Sequence, residues 1–271
     1  MLIHILLALV LLSGITPDLL ALETVTTGAR SGDEVTDQQQ AAATKAYEAL
    51  KTRMDEAWTE YLAPLRAAKT PEERDAIELD PAKSPSVLFM APMLKFSKAH
   101  PATDASLSAL GEVIRMASRD EKNSWMMDEA VDVVLVDFIE HEGLQDLVRF
   151  AHYNPPTQSI LRLLRGVSDR SSSRDVKAAS YYSLGKLLGK NKETRVEGRQ
   201  LLGRVEKEFG DVIFLRETTY GQKVKGDIFE MEHLQIGHMA PEIIGQTIAG
   251  NLMQLSAFRG KVVVLDFWGD W

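Results

Sequence analysis

Side chains suited to chemistry are few and scattered along most of this chain. Six histidines occur, His4, His100, His141, His152, His233 and His238. No two stand at the i, i+4 spacing that puts a pair of imidazoles on one helix face for zinc. Glu140-His141-Glu142 has the composition of a metal site, but neighbours on a helix point in different directions, so the triplet reads as a helix-end cap. No G-x-S-x-G elbow and no Walker-type glycine loop is present, so neither an acyl-transfer serine nor a phosphate cradle is indicated. Ser171-Ser172-Ser173 forms a loop before a helix, with Ser173 suited to its N-cap. Met90, Met93, Met126 and Met127 fall in helical apolar patterns and read as core fillers. The sequence holds no cysteine, which excludes disulfides, thiolate metal sites and thiol catalysis by this polypeptide. These residues indicate no metal and no bound cofactor.

One ordered series stands out at the C-terminal end. It opens with Ile236-Gly237-His238-Met239-Ala240-Pro241-Glu242-Ile243. Two short extended stretches, Ile243 to Ile248 and Leu252 to Leu255, flank Gly250-Asn251, whose residue types tolerate the positive φ of a tight turn. Ser256-Ala257-Phe258-Arg259-Gly260-Lys261 makes a second turn. It leads into Val262-Val263-Val264-Leu265-Asp266-Phe267-Trp268, a continuous apolar run of the kind that forms a central strand buried on both faces. Gly269-Asp270-Trp271 follows.

This series resembles the opening of a thioredoxin-like domain of the redoxin and TlpA-like branch, a superfamily that includes the AhpC/TSA-type antioxidant proteins. The G-x-x-A-P motif falls on Gly237, Ala240 and Pro241, and the LS-x-(aromatic)-(R/K)-G-K turn includes Gly260. The F-W-x-x-W motif falls on Phe267, Trp268, Gly269, Asp270 and Trp271. In the family that last motif is followed at once by Cys-x-x-Cys. The resemblance therefore implies a sequence truncated just before its nucleophile, with no catalytic residue present. The missing site would hold a thiolate at a helix N-terminus and a second cysteine to resolve the mixed disulfide. Asp266 matches the buried acid beneath the family's disulfide, a candidate for proton exchange with the resolving thiol. The other reading of Asp266 is a solvated strand-end carboxylate. Trp268 suits core packing and partner contact equally. The F-W-x-x-W ending favours a thiol–disulfide reductase over a peroxidase. Implied partners are protein disulfides or thiols and an external redox partner, without a small-molecule cofactor.

The elements before this segment are helical. Tyr47, Leu50, Met54, Ala57, Tyr61 and Leu65 recur every three or four residues, which predicts one long amphipathic helix starting near Ala41. Thr70-Pro71-Glu72-Glu73 and Ser84-Pro85 are helix starts, and His100-Pro101 ends a segment. Further helices are expected near residues 107–116, 126–140, 144–152, 157–164, 174–188 and 194–209, joined by short Gly-, Pro- or Ser-bearing connections. The last pair is weakly like a tetratricopeptide unit, without a clean repeat. The expected fold class is thus mostly α, an irregular helical array, followed by an incomplete α/β thioredoxin-like domain.

Ile5 to Leu12 is too short to span a bilayer. It reads as a signal-peptide core covering residues 1–21, although no Lys or Arg precedes it. An uncleaved anchor or a different start codon are the alternatives. The expected layout is a signal peptide at 1–21, a flexible linker at 22–40, a helical domain at 41–210, a connector at 211–231 and the thioredoxin-like segment at 232–271. Export to a periplasmic or other extracytoplasmic compartment follows. A net charge of −8 and the lack of a basic stripe argue against nucleic acid as a partner. The functional expectation is a fragment of an exported thiol–disulfide oxidoreductase, inactive as it stands. The alternative is a non-catalytic helical interaction module, with its own protein partner, ending in a vestigial β segment.

Overall fold

Thr36 opens the first helix by a capping box: its hydroxyl oxygen accepts from the Gln39 N–H, and the Gln39 side chain accepts from the Thr36 N–H. This is a computed structural model, describing residues 35–267. The proposed signal peptide and Trp268, Gly269, Asp270 and Trp271 lie outside the described residues. Helix α1 runs Asp37–Tyr61, four residues earlier than the apolar stripe predicts. Gln38, Gln39 and Gln40 bury little, but they are good helix formers behind a strong cap, so the helix begins inside the stretch expected to be a linker. The stripe also stops short of Leu65, because Pro64 lacks an N–H and sits in the first turn of a separate short helix, α2 (Ala63–Ala67).

The order continues with α3 (Pro71–Asp75), α4 (Pro85–Ala99), α5 (Asp104–Ala117), α6 (Ser124–Asp137), α7 (Leu144–Arg149), α8 (Gln158–Arg170), α9 (Arg174–Gly189) and α10 (Arg195–Phe209). The caps expected at Thr70 and Ser173 form, whereas Ser84 makes no side-chain capping bond at the start of α4. Thr70, Thr103, Thr157 and Ser173 each accept from the N–H three residues on. The chain is mostly helical, and its buried apolar side chains form one core linking α1 with α4 to α11.

Helix α9 is the centre of that core. Twelve of its residues, from Val176 to Gly189, are buried, so it is enclosed on nearly every side. Its serines are satisfied by neighbouring helices: Ser180 donates to the Leu164 carbonyl at 2.6 Å and Ser183 to the Val148 carbonyl at 2.6 Å. Helix α10 approaches α9 through glycine. A methyl group at Gly198 would stand 2.5 Å from the Gly189 nitrogen and 2.7 Å from the Gly185 carbonyl oxygen. No side chain larger than hydrogen fits that crossing.

The segment 211–231, expected to be a connector, is folded. Strands β1 (Ile213–Leu215) and β2 (Thr218–Thr219) pair antiparallel, with Arg216 at φ 53° in the turn. Helix α11 (Tyr220–His233) follows behind a second capping box, Thr219 with Gln222. Tyr220, Val224 and Ile228 are buried at four-residue spacing, a stripe too short and too interrupted by Lys and Gly to stand out in sequence. Its partners, Tyr182 and Phe214, are supplied only by tertiary packing. No described helix is long and apolar enough to cross a membrane.

Candidate functional site

The first part of the C-terminal series, from Met239 to Arg259, gathers around a small β-hairpin. Strands β3 (Ile244–Gln246) and β4 (Leu252–Gln254) pair antiparallel, with Gly245 opposite Met253. The loop is centred on Ile248-Ala249-Gly250. Gly250 donates to the Thr247 carbonyl at 2.8 Å and sits at φ +80°, the left-handed position that closes a three-residue hairpin loop. A short 3₁₀ turn, Leu255–Phe258, then reverses the chain. Gly260 follows at φ +81°, where a side chain would be strained.

This hairpin joins two motifs that are separate in sequence. The Glu242 carboxylate accepts from the Ser256 N–H at 3.0 Å and from the Ile243 N–H at 3.1 Å; hydrogen bonding to Ser256, side chain first and then backbone, does most to hold its carboxyl below the usual range. The Leu255 N–H extends the ladder to the Ile243 carbonyl at 2.9 Å. The Arg259 guanidinium lies against the Met239 sulfur at 3.6 Å. Ala240 and Pro241 line a cleft of about 200 Å³ with Leu255 and Ser256. Gly237, at φ +89°, precedes this unit and does not line the cleft.

The run after the hairpin departs from expectation. Residues 262–267 form no strand, and Val262 is 98% and Val264 89% exposed. A buried strand needs ladder partners on both sides, and neither β3 nor β4 pairs with this run. Asp266 and Phe267 are likewise exposed, so within the described residues Asp266 is a solvated carboxylate rather than a buried acid.

A polar centre that sequence reasoning missed lies between α9 and α11. The Asp227 carboxylate, with its side chain 4% exposed, accepts from the Tyr182 hydroxyl at 2.9 Å, from Lys186 Nζ at 2.9 Å and from Lys223 Nζ at 2.6 Å. Burial pushes this carboxyl up, but the hydrogen bonds from Lys186, Lys223 and Tyr182 outweigh it and hold it below the ordinary value. Burial and then the negative Asp227 raise the Tyr182 phenol, keeping it a donor. Lys223 and Asp227 stand four apart on α11, a spacing visible in sequence. The region's reading as a connector hid it.

Next to this centre, His152 Nδ1 lies 3.2 Å from Ser183 Oγ. The single Ser183 hydroxyl proton goes to the Val148 carbonyl, so the imidazole donates from Nδ1. Burial, reinforced by Lys186 and Lys190, lowers His152 to about 4, so the ring is neutral near pH 7. Ser183 is fully buried and engaged with main chain. The pair fastens α9 to the turn at Ala151–Tyr153 and offers no accessible nucleophile.

His141 serves the local fold: Nδ1 accepts from the Gly143 N–H at 3.1 Å and Nε2 meets Asp104 Oδ1 at 3.0 Å. Glu140 instead accepts from Ser172 Oγ and N. Among the described residues no group of three His, Asp or Glu side chains is arranged to hold a metal. No protein-family model, curated protein or solved structure matches the chain.

Proposed function

We propose that the chain is an exported helical domain joined to the opening of a thioredoxin-like domain, and that the completed domain carries out thiol–disulfide exchange on protein substrates. The observation that carries this reading is the hairpin. Glu242 and Arg259 tie the G-x-x-A-P segment to the LS-x-F-R-G-K turn, 14 and 20 residues apart in sequence. The unit so formed leads into Val262 to Phe267, a mostly apolar run that pairs with neither strand of the hairpin and is suited to become an interior strand of a larger sheet. Without cysteine the chain as it stands performs no exchange.

Reading the coding sequence past the Trp271 codon tests this directly. Cys-x-x-Cys immediately beyond it, in frame or after one frameshift, is the expected result, and unrelated sequence refutes the proposal. Purified as given, the chain is expected to reduce insulin disulfides at background rate only. Mass spectrometry of the exported protein should find a mature terminus near residue 22.

A second reading, a non-catalytic helical interaction module, is favoured by one observation. Every buried apolar side chain among the described residues lies between Ala43 and Ile228, so the helical core closes without the hairpin. Unrelated sequence after Trp271 selects this reading.

A further inference from the structure

We infer that the groove along α5 is a docking site for an extended polypeptide segment of about six residues, apolar in the middle, basic at one end and acidic at the other. The groove encloses about 640 Å³. Its floor is apolar, formed by Leu107, Gly111 and Ile114 on α5 and by Leu147 and Ala151 across from them. At about 1.5 Å per residue, α5 gives it a length of about 20 Å. That length matches about six residues of extended chain.

Opposite charge marks the two ends. At the start of α5, Asp104 bonds to His141, which brings Glu142 to the same end. Asp104 and Glu142 are both exposed. At the far end stand Arg115 and Arg119. Arg115 is paired with Glu112, whereas Arg119 is exposed and has no ion-pair partner among the described residues. The Ser118 hydroxyl meets Asn154 Oδ1 at 3.2 Å, so Asn154 and its neighbour Tyr153 join the Arg119 end. Tyr153 is 71% exposed and stacks on Phe150 with ring centroids 6.3 Å apart. A rigid, exposed aromatic pair over an apolar floor is the kind of surface that anchors polypeptide partners.

Charge complementarity therefore sets the occupant. A basic side chain meets Asp104 and Glu142, apolar side chains cover the floor, and an acidic side chain meets Arg119. This deepens the proposed function and rests on it in one respect: the occupant is an unfolded stretch of the protein whose disulfide is exchanged.

The test is calorimetric titration of the full chain with three capped peptides that share a Leu-Ser-Val-Ser-Leu centre. They carry Lys and Asp, Lys and Lys, or Asp and Asp at their ends. The Lys/Asp peptide is expected to saturate the wild type and to bind Arg119→Glu at least about tenfold more weakly, while the Lys/Lys peptide binds that variant better than the wild type. Circular dichroism checks that the variant is folded. Absence of saturable binding, or equal affinity for both proteins, overturns the proposal. Sedimentation showing self-association that Arg119→Glu abolishes also overturns it, by assigning the groove to a second copy. The titration contains no redox step, so failure of the oxidoreductase reading leaves peptide binding unchanged. Failure of binding leaves the coding-sequence test intact.

Discussion

Asp227 carries the clearest energetic role of any single side chain. Removing it by Asp227→Ala leaves the ammonium groups of Lys186 and Lys223 and the Tyr182 hydroxyl without their shared acceptor. A loss of about 3 kcal/mol in urea-unfolding free energy is expected. Tyr182→Phe removes one donor of three and should cost about 1 kcal/mol. His152 sets an acid limit. Its folded pKa is lowered from 6.5 to about 4, so between those values the unfolded chain binds a proton that the folded chain refuses. Stability is therefore full above pH 6.5 and falls as the pH drops toward 4, by about 3 kcal/mol in all. His100 is shifted in the same direction by burial, so the comparison with His152→Gln isolates the His152 share. Unfolding midpoints that decline equally in both proteins would refute it.

Helix crossings are where element-scale energetics concentrate. Gly198→Ala improves intrinsic helix propensity, yet its methyl group would meet the α9 backbone at 2.5 Å. Thermal unfolding should show a net loss of about 2 kcal/mol. Gly226 on α11 is the contrasting case, because nothing lies within 4 Å of an added Cβ. Gly226→Ala should stabilise by about 0.5–1 kcal/mol. Much at this scale is legible in sequence: the caps at Thr70 and Ser173 and the apolar spacing of α5 and α8 announce themselves. Helix α11 did not, because its stripe of Tyr220, Val224 and Ile228 is interrupted by Lys223, Lys225 and Gly226. The partners that make the stripe pay, Tyr182 and Phe214, lie far away in sequence or on another element. The same reason kept Asp227 out of view.

For the whole molecule, the exposed run from Val262 to Phe267 is expected to govern behaviour in solution. Val262, Val264 and Phe267 are each at least 80% exposed, and they belong to a β-prone stretch whose only charge before Trp268 is Asp266. Unpaired runs of this kind recruit each other edge to edge. Light scattering at increasing concentration should show aggregation, and Val264→Lys should slow it several-fold without changing the far-UV circular dichroism. An unchanged aggregation rate would place the adhesive surface elsewhere.

By itself the sequence determined the helical class, most helix starts, the hairpin and the lack of any thiol, because caps, periodicity and turn residues act over three to five positions. It also carried the ordered motif series from Gly237 to Trp271. Only the tertiary structure decided that 211–231 folds into the helical core, and that Asp227 collects Tyr182, Lys186 and Lys223. It also decided that Glu242 and Ser256 join the two motifs into one unit. Each of these rests on contacts between residues distant in the chain, whose desolvation and hydrogen bonding exist only once the helices have packed. The strand expected at Val262 to Phe267 shows the same limit from the other side. Apolar pattern sets what a segment prefers to bury, and a sheet forms only where a partner supplies the ladder.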